Sequence, residues 1–364
     1  MFVKLIALVA NTSFQIVNSM ETQVVLKLIG VKSFSLCKTN MLKKNNEKDK
    51  LNYEQKRVLE LNIKNFELSG AHLDEKTKER LQEINIKKSE LANNFSQNLL
   101  DATTNYEYII SNEEDVDGIP QSEKEAAKFD EDGVIKYKFT LQMPSYIAYM
   151  TYGKNREIRE ELYKAYVTRA PQNEKIINDL LQLRHEMSQL LGFENYAQYS
   201  LASKMATDEN SVLNFLDELV LNSTSQAKNE LATLEKRVPH KLESHDAAFY
   251  SELLKRDQYD IDEEEYRPYF EQRNVLNGMF EFLEKLFGIT FKEIDEKLWH
   301  EKAYAYNVYE KEILKARVYF DLEARESKRG GAWMHNWQSH HIDENNEEQL
   351  ASAVVGWKCP ASSD

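Results

Sequence analysis

Alternating apolar and polar positions predict strands in three parts of the chain. From position 313 to 322 every second residue is apolar, and this set is Leu314, Ala316, Val318, Phe320 and Leu322. A period of two is typical of a strand with one buried face. Residues 303–309 alternate in the same way and are expected to pair with this strand, and residues 134–141 predict another. The connection Glu310-Lys311-Glu312 contains neither Gly nor Asn, which weakens the case for a tight hairpin turn.

Apolar residues spaced by three, four or seven positions predict helices along most of the chain from Glu47 onwards. One such stripe is Leu81, Ile84, Leu91, Phe95 and Leu99, and another runs through 275–287. Residues suited to cap or end the helices are Gly70, Asp74, Thr207 or Asp208, and Gly288. The two helices that flank the turn at 70–74 are expected to form an antiparallel pair. With only 11 Gly and 6 Pro in 364 residues, the sequence predicts a mainly α fold with a few short β-strands.

Charge and cysteine content argue against several classes of protein. A net charge of −14 is unlike that of a nucleic-acid-binding protein, which usually presents a basic face. No run approaches the roughly 18 consecutive apolar residues of a membrane span, so no membrane partner is expected. Cys37 and Cys359 lie far apart and form no motif. Two isolated cysteines favour a reducing compartment, and the expected location is the cytoplasm.

The N-terminal segment 1–46 differs in composition from the rest of the chain. It contains one acidic residue, Glu21, against the six lysines Lys4, Lys27, Lys32, Lys38, Lys43 and Lys44. Its apolar run Leu5–Ala10 is short for a signal peptide. We therefore expect 1–46 to be an unrelated or mis-assigned N-terminal segment.

Several blocks of sequence occur together in one order. They are 155–170, 192–206, Arg267-Pro268-Tyr269-Phe270, Asp321-Leu322 with Arg325-Glu326, and 330–334. The set resembles the thimet oligopeptidase and oligopeptidase A family of zinc metallopeptidases, over roughly 47–350. The resemblance implies an elongated helical shell around a deep channel, short peptides as substrates and zinc as cofactor. It assigns 47–240 to the helical region of the shell and 241–364 to the N-terminal part of the catalytic region, so the shell is expected to be incomplete at the C-terminus.

The zinc motif of that family, His-Glu-x-x-His, has no counterpart in this chain. The motif needs two His four positions apart on a helix, because both imidazoles must face one metal ion, and its Glu is the general base for the metal-bound water. His185-Glu186 is followed by Gln189 and His300-Glu301 by Tyr304, where the second His would stand. The cluster His335, His340 and His341 could hold zinc or nickel, but a polar connecting loop is the favoured interpretation. We name no metal ligand and no catalytic residue.

The turn Gly330-Gly331-Ala332 is the candidate substrate-binding segment. By resemblance, backbone near the zinc helix lines the peptide channel, and backbone hydrogen bonds would hold an extended peptide without sequence preference. The alternative is that the glycines allow the turn to pack tightly against the preceding strand. The charged set Arg325, Glu326 and Lys328 is expected to be a solvated or salt-bridged face rather than a catalytic group.

Three hypotheses about function follow. The first is an oligopeptidase-family chain whose parent reaction is zinc-dependent endopeptidic hydrolysis, and which is inactive alone. The second is a non-catalytic helical module that binds peptides or a partner protein, with possible self-association through exposed core faces such as 280–287. The third is a truncated gene product without a separate role. A His-Glu-x-x-His codon run found by sequencing downstream of the reading frame would favour a truncated enzyme.

Overall fold

A computed structural model of the protein describes residues 52–260, 263–323, 325, 328, 331–343 and 345–359, so the expectations for 1–46 and for Gly330 lie outside the described residues. The α-helices are α1 (Tyr53–Leu68), α2 (Glu75–Thr104), α3 (Gln121–Ala127), α4 (Met143–Tyr152), α5 (Arg156–Val167), α6 (Asn173–Leu190), α7 (Tyr196–Leu201), α8 (Glu209–Glu235), α9 (Ala247–Tyr259) and α10 (Gln272–Phe287). The strands are β1 (Glu107–Ile110), β2 (Lys128–Glu131), β3 (Val134–Thr140), β4 (Ile289–Ile294), β5 (Ala303–Glu310), β6 (Ile313–Glu323), β7 (Ala332–Gln338), β8 (His341–Ile342), β9 (Glu348–Gln349) and β10 (Ala351–Cys359). Short 3-10 helices span Glu113–Val116 and Glu263–Phe270. The mainly α fold class is confirmed.

The chain divides into two compact units. The described residues of the first come from 107–159 and 252–364, and those of the second come from 29–106 and 160–251. The predicted division into 47–240 and 241–364 stays a prediction. No helix among the described residues is long and apolar enough to cross a bilayer. The cytoplasmic location also stays a prediction.

The second unit is built around the packing of α2 against α6. Leu81 and Ile84 of α2 form a buried cluster with Met187 and Leu191 at the end of α6. The predicted stripe on α2 is therefore a packing face, but its principal partner is α6 rather than the neighbouring α1. The predicted caps are confirmed: the Asp74 side chain accepts from the Thr77 N–H, and Gly70 has a φ of +82° at the end of α1.

Helix α8 differs from the other long helices because none of its side chains is buried. Asp208 caps it by accepting from the Ser211 N–H, as predicted. The exposed large apolar residues along this helix are Leu213, Phe215, Leu216, Leu219, Val220, Leu221 and Leu231. An exposed stripe of this size is characteristic of a surface that contacts another polypeptide.

All three sheets of the described residues lie in the first unit, and the smallest is the two-stranded pair β8-β9. The three-stranded sheet has the order β1-β3-β2, and its central strand confirms the prediction for 134–141. The larger sheet has the order β4-β5-β6-β10-β7. Strands β5 and β6 pair antiparallel, as expected, through a tight turn in which Lys311 and Glu312 both adopt positive φ, +48° and +64°. Charged residues thus occupy a turn that usually favours Asn and Gly.

Two strands of the larger sheet do not follow from the hydrophobic pattern. β10 runs parallel to β6 on one side and antiparallel to β7 on the other. The prediction of a polar loop around His335 is wrong, because 332–338 form an edge strand of this sheet. Helix α10 covers one face of the sheet, where Leu276, Met279 and Leu283 pack on a set that includes Phe320 and Val355. Each such side chain contributes about 1.5–3 kcal/mol on burial.

The far side of α10 stays in contact with solvent. Phe282, Leu286 and Phe287 are each about half exposed, whereas Leu283, which faces the sheet, is buried. Gly288 ends the helix with a φ of +67°, as predicted. The apolar stripe predicted over 275–287 is therefore buried only on the side that contacts the sheet.

Candidate functional site

The face of the larger sheet opposite α10 carries a different chemistry, which the strand register places in rows. Gly356 of β10 lies between Asp321 of β6 and Trp333 of β7. One step along the strand pair, Val354 lies between Tyr319 and His335. Because side chains alternate between the two faces of a sheet, residues two apart share a face. Phe320, Val355 and Met334 form the intervening row, and all three belong to the core against α10.

A glycine in β10 allows Trp333 to lie across the sheet. A Cβ built on Gly356 would come closer than 3.0 Å to three atoms of the Trp333 ring. Glycine inside a strand often marks the close approach of another group. The absence of a side chain at position 356 therefore lets the indole of an edge strand rest on its neighbouring strand.

Asp321 is the centre of a hydrogen-bond network at the end of β6. Its carboxylate accepts two hydrogen bonds from the Arg325 guanidinium, both 2.7 Å long. It also accepts one from Trp299 Nε1 at 2.9 Å and one from Lys328 Nζ at 3.0 Å. The Lys328 ammonium donates further to the backbone oxygens of Asp321 and Glu323. Residues 325 and 328 are thereby fixed to the strand that precedes them.

Burial makes this network energetically important. Asp321 is 4% exposed and Lys328 is 5% exposed. Burial alone raises the pKa of Asp321, but the hydrogen bonds from Arg325, Trp299 and Lys328 outweigh it and hold the pKa below its usual range. The expected salt-bridged character of Arg325 and Lys328 is confirmed, whereas a solvated position is wrong for Lys328. Glu326 lies outside the described residues.

Three of the four tryptophans in the sequence line one open cleft on this face. The cleft has a volume of about 740 Å³ and lies over Val354, next to the Asp321 network. Trp299 and Trp337 lie nearly parallel, with ring centroids 6.4 Å apart and planes 19° apart. Trp299 also contacts Tyr319, with centroids 5.8 Å apart. We refer to the surface formed by Trp299, Trp333, His335 and Trp337 as the tryptophan cleft.

The candidate substrate-binding segment leads into the edge strand β7. Gly331 has a φ of +95°, and a Cβ added there would meet no atom within 4 Å. Tight packing of the turn therefore does not explain Gly331, whereas its backbone conformation does. Ala332 is exposed and is the first residue of β7. Among the described strands none pairs with the outer edge of β7, so every second residue there directs its N–H and C=O groups outward.

The zinc ion implied by the resemblance does not fit the donors that the structure brings together. No group of three His, Cys, Asp or Glu side chains with metal-binding geometry occurs within the described ranges. His185 is exposed on α6, and the carboxylate of Glu186 accepts two hydrogen bonds from Arg80, at 2.7 and 3.0 Å. His300 Nδ1 accepts from the backbone N–H of Lys302. These contacts are those of ordinary surface and turn residues.

The three histidines of 335–341 are divided between separate partners. His340 Nε2 lies 2.8 Å from Glu348 Oε1, and His341 Nδ1 lies 2.9 Å from the Ser339 carbonyl oxygen. His335 projects from β7 on the face of the tryptophan cleft. The three imidazoles therefore do not converge on one position, and His335 lies with the aromatic residues of the tryptophan cleft.

Comparison with known proteins identifies the family. Residues 149–364 match the model of "Peptidase family M3". Oligopeptidase A of Salmonella typhimurium is 41% identical over 302 residues, which cover 78% of this chain and 44% of that protein. Oligopeptidase A of Haemophilus influenzae is 38% identical over 328 residues, covering 84% and 48%, and a probable cytosolic oligopeptidase A of Arabidopsis thaliana is 34% identical over 308 residues, covering 78% and 44%. The chain thus spans less than half the length of each of these relatives. With its matched region extending over more than half of its sequence, the chain belongs to peptidase family M3.

Proposed function

We propose that this chain forms the peptide-binding part of a zinc-dependent oligopeptidase that hydrolyses short peptides. The observation that supports this most directly is the outer edge of β7, which begins at Ala332 and has no strand partner among the described residues. Membership of peptidase family M3 supplies the reaction class. The names of the relatives refer to oligopeptidases, and we extend that activity to the complete protein as part of the proposal.

Strand addition explains how such an edge would hold peptides of many sequences. An extended peptide that pairs with β7 makes backbone hydrogen bonds, which depend little on side-chain identity. Gly331 and Ala332 stand at the start of this edge, where small side chains let a second backbone approach closely. We assign the candidate segment Gly330, Gly331 and Ala332 to substrate binding on this basis, and we assign no catalytic residue.

We further propose that the 364-residue chain does not hydrolyse peptides by itself. Its sequence contains no His-Glu-x-x-His motif, and the described His, Cys, Asp and Glu residues do not converge on a metal position. The test uses a quenched fluorescent peptide library with the purified chain, with and without added Zn²⁺. We expect saturable peptide binding without turnover. Zinc-dependent cleavage that survives removal of trace peptidases would refute this part of the proposal, and the absence of any peptide binding would refute the first part.

A second candidate function, self-association, is favoured by helix α8. Leu213, Leu216 and Val220 share one side of this helix, at positions i, i+3 and i+7, and all are about half exposed or more. Pairing with a second copy of the chain would remove this surface from water. Sedimentation velocity at increasing concentration tests it. We expect Leu216→Glu to shift the chain towards the monomer. Asn229→Glu, at an exposed position on the opposite side of α8, should leave the distribution unchanged, and a concentration-independent monomer would reject this candidate.

A further inference from the structure

We propose that the tryptophan cleft is a specificity pocket for an aromatic or large aliphatic side chain of a peptide paired with β7. The inference rests on the proposed function and deepens it, because it adds side-chain selectivity to a binding mode that is otherwise independent of sequence. The cleft would favour one bulky apolar residue at a single position of the peptide. The peptide residues next to that bulky residue would be held through backbone contacts alone.

A peptide paired with β7 would extend the rows of side chains on the larger sheet. A strand added beyond β7 would lie about 4.7–4.9 Å from it and continue the rows that contain Trp333 and His335. Side chains directly opposite each other on neighbouring strands have Cβ atoms about 4.5–5.5 Å apart. Every second side chain of the added strand would therefore contact the tryptophan cleft, while the others would lie on the face that continues the α10 side of the sheet.

Two indoles of the cleft are exposed to solvent. Trp299 is 46% exposed and Trp337 is 64% exposed, although both are large apolar side chains on adjacent positions of one surface. Their nearly parallel rings leave faces and edges available to a third ring, in the offset or edge-to-face arrangements that aromatic side chains prefer. The cleft volume of about 740 Å³ falls within the range of small-ligand pockets.

Two walls of the cleft, Trp299 and Trp333, are held in place before any peptide arrives. Trp299 is held by its Nε1 hydrogen bond to Asp321, and Trp333 lies on Gly356. A side chain that is already held in place loses little further rotamer freedom on binding, so more of the contact free energy appears as affinity. The cations at the rim, Arg325 and Lys328, are themselves bonded to the Asp321 carboxylate. Selectivity at this cleft therefore depends on apolar and aromatic area rather than on charge.

The test compares three blocked pentapeptides that contain no tryptophan: one with a central Phe between Gly and Ala residues, one with Ala at that position, and the Phe peptide N-methylated at alternate residues. Binding to the whole chain is followed by tryptophan emission, since three of the four indoles line the cleft, and by calorimetry. We expect the Phe peptide to bind at least about tenfold more tightly than the Ala peptide. N-methylation should weaken the Phe peptide strongly, because it removes the donors needed for strand pairing.

Variants of the chain locate the effect. Trp337→Ala should reduce affinity for the Phe peptide roughly tenfold and leave the Ala peptide unchanged, and Trp337→Leu, which keeps apolar volume without the ring, provides a second variant if the first melts early. Tyr259→Ala is the matched control, since Tyr259 is an aromatic residue that is 66% exposed and is not part of the cleft.

Each remaining outcome decides one part of the proposal. Equal binding of the Phe and Ala peptides, or an unchanged preference in Trp337→Ala, would overturn the specificity pocket while the proposed function stands. An unchanged affinity of the N-methylated Phe peptide would keep the pocket but overturn strand pairing at β7, and with it the proposed function. Failure of both unmodified peptides to bind would overturn both.

Discussion

The Asp321 network makes a quantitative prediction about the stability of the larger sheet. The substitution Asp321→Asn keeps the shape of the side chain and one acceptor oxygen but removes the negative charge. In the native chain this carboxylate accepts four side-chain hydrogen bonds, two from Arg325 and one each from Trp299 and Lys328. The Arg325 side chain is 25% exposed and can recover water, whereas the Lys328 side chain is 4% exposed and keeps a buried charge.

The expected loss in the free energy of unfolding is about 3–5 kcal/mol, because removal of one member of a buried charge pair leaves the other uncompensated. Urea unfolding followed by tryptophan emission measures this loss directly, since Trp299 bonds to Asp321 and Trp333 lies in the neighbouring row. The matched control is Glu296→Gln, which breaks an exposed ion pair of the same sheet, Arg317 to Glu296 at 3.2 Å. That control should lose less than about 1 kcal/mol.

A double-mutant cycle separates charge compensation from simple loss of contacts. Lys328→Met alone should also destabilise the sheet, but the combination with Asp321→Asn should be less damaging than the sum of the two by about 1–3 kcal/mol, because a buried pair replaced on both sides leaves no isolated charge. Additive losses, or a loss below about 1 kcal/mol for Asp321→Asn, would refute the assignment of Asp321 as the counterion of Lys328.

Three further predictions concern neighbouring features. Gly356→Ala should displace the Trp333 ring, lower the free energy of unfolding by about 1–3 kcal/mol and shift tryptophan emission, and thermal unfolding with fluorescence would check this. Gly331→Ala meets open space but a φ of +95°, so the expected cost is about 1 kcal/mol from the backbone alone, with Gly133→Ala, at a φ of +79° and also in open space, as the comparison. Because the folded-state pKa of Asp321 lies below its unfolded value, its stabilisation is complete above about pH 4 and is lost as the pH falls further. Acid titration of stability should accordingly be shallower in Asp321→Asn than in the native chain, and parallel curves would contradict the lowered pKa.

Local patterns were sufficient for the elements whose neighbours are close in sequence. The alternation from Leu314 to Leu322 predicted β6 and its partner β5, because residues 316, 318 and 320 are buried on one face of β6 and residues 317 and 319 are only partly buried on the other. Capping residues such as Asp74 and Asp208 act within one helical turn and were likewise visible in the sequence. The tight turn at Lys311 and Glu312 formed despite its residues, since the pairing of the flanking strands fixes the turn from outside.

The edge of the sheet could not be predicted because its determinants are distant in sequence. The segment His335-Asn336-Trp337-Gln338 carries polar residues on both faces of its strand, so it shows no period of two. The parallel pairing of β6 with β10 joins residues about 35 positions apart, and nothing in either strand alone specifies that partner. Burial of Lys328 was equally hidden, because the sequence shows only a charged run, whereas in the structure the Lys328 side chain bonds to Asp321.

The order of strands in the larger sheet has a consequence for biosynthesis. β10 lies between β6 and β7 but follows both along the chain. A ribosome therefore releases β7 before the strand that will hold it, and closing the loop from β6 to β10 costs entropy before any pairing is gained. Until β10 pairs with β7, the tryptophan-rich segment is an unpaired and aggregation-prone part of the nascent chain, of the kind that chaperones protect. The surface proposed to receive peptides therefore forms only after β10 has been synthesised.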